Sequence, residues 1–466
     1  MTVSLLIDIN RPTKFYTFND MVQFYSCRQR KVKPDNLTVI AESLDAQGQG
    51  VAHYQGKTIF ITNLLPGEQA QIQLTEEKRQ FAKAKVSKRL TDSLDRVAPF
   101  CRHFGICGGC QQQHVTPTLQ RAAKVSRLEY LFQCETGRAV KSLPVIAGSE
   151  YGYRRRARFG LHYQHAERRL RMGFRQNQSN VLVELKMCPV LQPELEKLLL
   201  PVADCLNKLA AVKHLGHVEL VNADNGVSVI LRHLKPLATD DKMLLTAFAR
   251  SYNLNVYLVD NSAKQLKLVS SASNDSDPYY SIENVKLTFD PQNFIQVNPE
   301  INKKMVAQAL DWLALEPKDR VLDLFCGMGN FTLPIACHVH SVVGVEGVTE
   351  LVAQGRYNAS LNRLTNAEFY QADLELAIDC QPWAKMGFNK ILLDPARAGA
   401  IGVMSHIIKL KPERVVYISC NPTTLVKDSK QLLTASYQLM SVRMLDMFPH
   451  TSHLESMALF CRDSSK

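Results

Sequence analysis

No stretch of the chain approaches the ~18–20 consecutive apolar residues that a bilayer-spanning helix needs. The N-terminal run Met1-Thr-Val-Ser-Leu-Leu-Ile-Asp8 has no basic segment ahead of it, and Asp8, Arg11 and Lys14 cut it short. It therefore lacks the pattern of a secretory signal. Without one, the 12 cysteines are expected in a reducing cytoplasm, which argues against a disulfide framework. Acidic residues are in the minority: 44 Asp and Glu against 56 Lys and Arg leave a net charge of +12. Such a surplus points to a polyanionic partner, nucleic acid first, with a merely basic solvated surface as the bland alternative. The rest is ordinary. An apolar content of 45% with 21% charged residues suits a folded protein, and 466 residues are enough for about three domains.

Residues 1–20 look unlike the remainder of the chain, and Met21-Val-Gln-Phe-Tyr-Ser reads as a natural start leading into a basic arm, so Met21 is expected to be the true initiator. Residues ~35–90 carry short β-branched runs, Leu37–Ile40, Gly56–Ile61 and Ala70–Leu74, punctuated by Gly48-Gln-Gly50 and Pro66-Gly67. They predict a small β-barrel with a basic edge of Lys78, Arg79, Lys83, Lys85, Lys88 and Arg89. The pattern resembles a TRAM domain, an OB-like RNA-binding barrel. Further on, Ser270-Ser-Ala-Ser-Asn-Asp-Ser-Asp277 is polar and aromatic-free and reads as a loop. Residues ~290–466 alternate strand and helix patterns, which implies a doubly wound parallel sheet.

Cys101, Cys107 and Cys110 fall within ten residues, with Gly108-Gly109 between the last two, and Cys188-Pro189 supplies a plausible fourth thiol. Four thiolates hold either zinc or a [4Fe–4S] cluster. The three-plus-one distribution, the Cys-Pro pair and the small spacer favour the cluster; Cys134 and Cys205 are weaker candidates for the fourth ligand, and unrelated reduced cysteines remain the bland reading. Between these thiols, Tyr151-Gly-Tyr-Arg-Arg-Arg-Ala-Arg158-Phe159 interleaves arginine with aromatics, and Arg168, Arg169, Arg171 and Arg175 follow across a predicted hairpin. Arginine bridges phosphates and stacks on bases, so this segment is expected to touch nucleic acid.

Val321-Leu-Asp323-Leu-Phe325-Cys326-Gly327-Met328-Gly329-Asn330 reads as a strand feeding a glycine turn, and Phe331–Cys337 as a helix after it. A second strand ends in Glu346, placed to accept from ribose hydroxyls, and a third is followed by Asp373. The loop has no third glycine for a pyrophosphate, so S-adenosylmethionine fits better than NAD. Lys390-Ile-Leu-Leu-Asp394 gives a fourth strand with an acid at its end, and Val415–Cys420 a fifth ending in a thiol. Glu455 stands just before an apolar run suited to the last. A thiol, two carboxyls and a sulfonium cofactor at one crevice suit C5 methylation of uracil. That carbon is weakly nucleophilic until a thiolate adds at C6, and a base must then remove the C5 proton. Cys420 fits the nucleophile, Glu455 the base, and Asp394 and Gln296 groups that orient substrate or cofactor.

Asn293-Phe-Ile-Gln-Val-Asn298, Asp323–Phe331, Asp394-Pro-Ala-Arg397, Ser419-Cys-Asn-Pro422 and His453-Leu-Glu455 together resemble the RNA uridine C5-methyltransferase family of the TrmA/RlmC/RlmD type, over nearly all residues from ~21 on. The barrel and the four cysteines in one chain are similar to the branch that acts on 23S rRNA. The resemblance implies Cys420 as nucleophile and Glu455 as general base. It implies Gln296, Phe325, Asn330, Glu346, Asp373 and Asp394 around S-adenosylmethionine, Cys101, Cys107, Cys110 and Cys188 on a [4Fe–4S] cluster, and Arg158 and Phe294 near the RNA. The expected organisation is an arm (1–32), a TRAM barrel (33–92), a central α+β domain with the cluster and a basic RNA-binding hairpin (93–285) and a Rossmann-like methyltransferase domain (286–466). The protein is expected to be a cytoplasmic monomer with 23S rRNA as partner. The same chemistry on tRNA or another ribosomal uridine, an RNA-binding protein with a scaffold domain, and cytosine methylation are the rivals; the last typically shows a Pro-Cys pair where this chain has Ser-Cys-Asn-Pro.

Overall fold

In Phe81–Arg89 small apolar residues alternate with basic ones, the period of a strand with one wet face. Ala82 and Ala84 are buried and Lys83, Lys85 and Lys88 face outward. The structure, a computed structural model, describes residues 37–260, 266–271, 277–376, 378 and 380–463. The N-terminal arm with Met21, and most of the 270–277 loop, lie outside the described residues. The strands Leu37–Ile40, Ser43–Leu44, Gln49–Tyr54, Lys57–Thr62, Gln69–Glu77 and Phe81–Arg89 form one curled sheet around Ile59, Ile61, Leu64, Ala70 and Ile72. Part of its basic edge is neutralised within the barrel, where Lys78 and Lys83 reach Glu76 at 3.0 and 2.9 Å.

A second, seven-stranded sheet runs in the order Leu182–Glu184, Arg169–Arg175, Arg156–Gln164, Leu215–Ala223, Gly226–His233, Leu254–Asp260 and Leu266–Ser270. The basic hairpin is there, as Arg156–Gln164 pairs antiparallel with Arg169–Arg175. Its arginines, however, are largely engaged within the protein. Arg156 and Arg158 converge on Glu219 at 3.0 and 2.6 Å, and Arg169 holds Glu184 and Glu167. Burial works against the Glu219 carboxylate, yet His217 and the two arginines hold its pKa down at about 2.

The C-terminal sheet carries the remaining chemistry. Its strands are β1 (Arg320–Leu324), β2 (Ser341–Glu346), β3 (Ala367–Gln371), β4 (Lys390–Leu393), β5 (Arg414–Ser419), β6 (Tyr437–Leu445) and β7 (Glu455–Arg462). Their spatial order is β3-β2-β1-β4-β5-β7-β6, with Leu143–Ile146 parallel to β6 at the far edge. The first five strands are parallel, as expected. The sheet departs from the fully parallel expectation at β7, which is antiparallel to both β5 and β6. Only nine residues separate β6 from β7, too few for the crossover that a parallel strand needs. Helices cover both faces in two cores. One gathers Met305, Val306 and Trp312, the other Trp383, Met404, Ile407 and Leu425. Helix Pro117–Thr136 adds Leu128, Leu131 and Phe132 to the second core, so residues from within the expected central segment pack on the C-terminal body. Among the described residues, no helix is long and apolar enough to cross a membrane.

The end of the sheet opposite the site is pinned by a buried ion pair. Lys390, at the start of β4, donates to Asp319 Oδ2 at 2.5 Å and to the Ala314 carbonyl at 2.5 Å. Removing one partner of such a pair strands the other charge. Lys390→Met is therefore expected to lower unfolding free energy by about 3–5 kcal/mol. Because Lys390 sits at the far end of β4 from Asp394, S-adenosylmethionine affinity of the folded variant should be unchanged. Urea denaturation beside calorimetric titration checks both.

Candidate active site

The direction in which successive strands are added to the sheet reverses between β1 and β4, and a crevice opens where the loops that follow these two parallel strands part. After β1 the chain turns through Phe325, Gly327 and Gly329 with φ of 62°, 56° and 100°. Gly329 is required twice over, since a Cβ there would also come within 2.9 Å of Leu333 and 3.1 Å of Phe369. Glu346 ends β2 and ties the turn in place by accepting from Gly327 N and Val348 N, each at 3.1 Å. Its remaining lone pairs stay available to a hydroxyl partner. Asn330 is held by a polar cluster: Tyr280 Oη donates to its Oδ1 at 2.9 Å, and it exchanges bonds with Asn302 at 3.0 and 3.1 Å. Asp373 is exposed beyond β3. Gln296 lies in the loop before helix Pro299–Leu313, its carbonyl accepting from buried Arg155 Nε at 2.8 Å. The Arg155 guanidinium stacks over Tyr280 at 4.4 Å, linking the basic segment to the cofactor turn.

The thiol and the acids meet because of β7. In the antiparallel ladder Ser419 stands opposite Ser456, so the next residues, Cys420 and Glu455, lie at the same end of the two strands, near enough for the Glu455 charge to act on the thiol. Asp394 leaves β4 beside them. Desolvation dominates this corner. Burial pushes the Asp394 carboxyl up to about 7. Glu455 goes well above the carboxylate range, through burial and then Asp394, with Arg397 opposing. Burial, then Glu455 and Asp394, lift the Cys420 thiol to about 11, and Arg397 again pulls the other way. Arg397 is fixed by a bond between its Nη2 and His453 Nδ1 at 3.2 Å and through its carbonyl, which accepts from Asn421 Nδ2 at 2.9 Å. Asn421 caps helix Pro422–Thr434 by accepting from Thr423 N, leaving Cys420 just ahead of that helix's positive end.

Cys101, Cys107, Cys110 and Cys188 line one cavity of about 510 Å³. Burial raises the Cys110 thiol to about 11 and Cys188 to about 12, and the neighbouring thiols add to both. Gly108 packs its main chain against Arg175, where a Cβ would lie 3.1 Å from the carbonyl oxygen, and Gly109 N points at Cys107 Sγ at 3.4 Å. Among the described residues, no three ligating side chains converge as closely as one metal ion requires. Cys134 is exposed, and Cys205 is buried in helix Leu199–Asn207, outside the cavity lining.

Phe294 is 70% exposed, and Arg158 is exposed though paired with Glu219. Arg397, His453 and Tyr280 are groups at this site to which the sequence assigned no role, whereas Arg155 was expected to touch nucleic acid and instead stacks on Tyr280. The first two sat inside matched motifs, but their contacts span 56 residues of chain; a short motif carries no signal for that.

Comparison with known proteins agrees with this geometry. The family model described as tRNA (Uracil-5-)-methyltransferase matches residues 117–463, and the TRAM domain model matches residues 35–87. A relative in Photorhabdus laumondii, 23S rRNA (uracil(1939)-C(5))-methyltransferase RlmD, is 64% identical over 95% of this chain and 100% of its own length. The protein of that name in Yersinia enterocolitica is 57% identical over 95% and 99%. Among solved structures, Pyrococcus abyssi tRNA (uracil-54, C5)-methyltransferase in complex with S-adenosyl-L-homocysteine superposes with a TM-score of 0.69 at 22% identity, over 91% of this chain and 100% of that one. With a TRAM barrel ahead of a sheet that closes on a thiol and two carboxyls, the chain belongs to the tRNA (Uracil-5-)-methyltransferase family.

Proposed function

We propose that this chain methylates C5 of a uridine in 23S rRNA, the residue that its relatives' names give as 1939. The observation that carries the reading is the register of β5 against β7, which brings Cys420 and Glu455 to one end of the sheet. Gln296, Phe325, Asn330, Glu346, Asp373 and Asp394 would hold S-adenosylmethionine and the target base. When bound, that cofactor supplies an electrophilic methyl group. Cys420 adds to C6 of the uracil, its proton leaving with help from the Arg397 charge and the helix end. Addition makes C5 electron-rich. After methylation Glu455 takes the C5 proton, and the electron pair of that C–H bond re-forms the ring double bond as Cys420 departs. A carboxyl raised by burial is the stronger base for a carbon-bound proton. A uridine stacked in a helix cannot meet the thiol, so the base is flipped out.

We read the cysteine cavity as a [4Fe–4S] site. The three-plus-one thiols share one cavity, and burial, with the neighbouring thiols adding to it, raises Cys107, Cys110 and Cys188, a cost that bonding to iron removes. The domains follow as an RNA-binding barrel (33–92), a central cluster-bearing domain (93–285) and a catalytic domain (286–466).

Incubating the protein with tritiated S-adenosylmethionine and unmodified 23S rRNA should label 5-methyluridine at one position. Label in tRNA alone would redirect the RNA assignment, and label in neither would leave the domain a scaffold. Cys420→Ala should bind RNA without forming an adduct, while Glu455→Gln should accumulate the methylated adduct, visible as a shifted band on a denaturing gel.

The raised thiol sets a pH dependence. A pKa near 11 leaves little thiolate at neutral pH, so alkylation of Cys420 should climb about tenfold per pH unit between 7 and 9 without levelling. Glu455→Gln removes a negative neighbour and should speed alkylation; Arg397→Gln removes the positive one and should slow it. Iodoacetamide labelling read by peptide mass spectrometry decides the signs. Cys110→Ser should lose the brown colour of the cluster and RNA binding while S-adenosylmethionine binding persists.

A further inference from the structure

A cleft of about 1000 Å³ opens between the barrel and the cysteine loop, and neither Cys420 nor Glu455 lines it. Gln47 and Asn63 line it from the barrel, Phe104 and His114 from the cysteine segment, and Asn177 and Gln178 from the turn after the basic hairpin. Its two arginines are already committed. Arg96 donates to buried Glu68 at 2.6 and 2.8 Å, and Arg89 to Asp92 at 2.5 Å. The cleft is therefore poorly equipped to trap a phosphate.

Its uncommitted groups are neutral and two-sided. Among the described residues, the side-chain amides of Gln47, Asn177 and Gln178 engage no protein group, and Asn63 uses its oxygen on Arg96 Nη1 at 3.1 Å. His114 is 5% exposed, lines the cleft, and has no partner for either ring nitrogen among the described residues. Its ring packs on Phe104 with centroids 5.3 Å apart. Burial pushes the imidazole down to about 4, so it offers one donor and one acceptor. Carboxamides and a neutral imidazole match the mixed donor–acceptor edge of a nucleobase, and Phe104 supplies a stacking face.

We infer that this cleft takes one unpaired nucleobase of the RNA substrate, stacked on Phe104 and read by Asn177, Gln178 and the barrel amides. The inference rests on the reading of the chain as an RNA methyltransferase and adds a second base-recognition point away from the methylated uridine. Phe104, Cys107, Cys110, Asn177 and Gln178 line both this cleft and the cysteine cavity, so the cysteine loop is a wall common to the two. The base is thus gripped by a segment whose shape the thiols set.

The test is a cycle between protein and RNA variants. The wild-type holoenzyme, an Asn177→Ala/Gln178→Ala double variant at two exposed positions, and Phe104→Leu are each titrated with a 23S rRNA fragment spanning the target uridine. They are also titrated with fragments in which each unpaired nucleotide in turn is abasic. One abasic position should weaken wild-type binding about tenfold, the scale of one stacked base. The variants should lose about as much on the intact fragment and nothing further at that position, with melting temperature, brown absorbance and S-adenosylmethionine affinity unchanged. Variants that bind the intact fragment like wild type would overturn the inference. So would abasic penalties that add in full, or a loss equal at every position with a shallower salt dependence, which would mark a phosphate contact. Methyl transfer by the wild type is the separate control on the parent reading. If label goes to tRNA alone, the same cycle on tRNA decides the pocket; if the wild type binds no RNA, the pocket falls with that reading.

Discussion

Burying carboxyls beside a thiol at the end of one sheet is expensive, and much of the catalytic domain is arranged around that cost. Asp323, under the glycine turn, is driven up to about 8, chiefly by burial, although Thr332 Oγ1 donates to it at 2.5 Å. Asp394 sits near 7, and Glu455 lies well above the usual carboxylate range. Carboxyls raised to about 7 and 8, as Asp394 and Asp323 are, hold or release a proton near neutral pH, which ordinary surface carboxylates do not. The opposing charge comes from Arg397, whose loop is anchored by Asn421 and whose guanidinium is steadied by His453. The constellation is thus a balance: burial lifts Asp323, Asp394 and Glu455, and Arg397 limits the rise at Glu455 and at the Cys420 thiol.

That balance depends on the antiparallel strand β7. A purely parallel sheet would present only the carboxyl ends of its strands at the crevice. By running backwards between β5 and β6, β7 brings its first residue to the same edge, so Glu455 joins Cys420 and Asp394 there. The strand run and the acid ahead of it were legible from sequence, because Glu455 precedes an uninterrupted apolar stretch. The glycine turn and its acid Glu346 were legible too, since strand, turn and helix succeed one another within a few residues. Direction was not: a strand buried on both faces, as β7 is over its first six residues, looks alike in either sense, and only the short 446–454 connection argues for reversal.

The arginine-rich segment shows where composition misleads. Tyr151–Phe159 interleaves charge and aromatics in the manner of a nucleic-acid surface, yet Arg155 is buried under Tyr280 and Arg156 is spent on Glu219. Glu219 lies some sixty residues away on the neighbouring strand, so no local window reveals that the charge is consumed. These arginines join the central sheet to the cofactor turn. Exposed cations left for an RNA backbone include Lys85 and Lys88 on the outer face of the barrel, Arg168 and Arg175 on the hairpin, and Arg158 beside its partner.

The cysteine segment is a different case, because it was legible only as spacing. Between Ala98 and Thr116 the chain forms turns and isolated bridges but no helix or strand, and few of its side chains join a core. Such a stretch cannot order itself by burial alone. The proposed [4Fe–4S] site would cross-link residues 101–110 to Cys188, some eighty residues on, through the cavity that they share. Bonding of that kind takes the place of a hydrophobic core. It would fix a loop that forms one wall of the amide-lined cleft, which is reason enough for a methyltransferase to carry thiols that its reaction does not use.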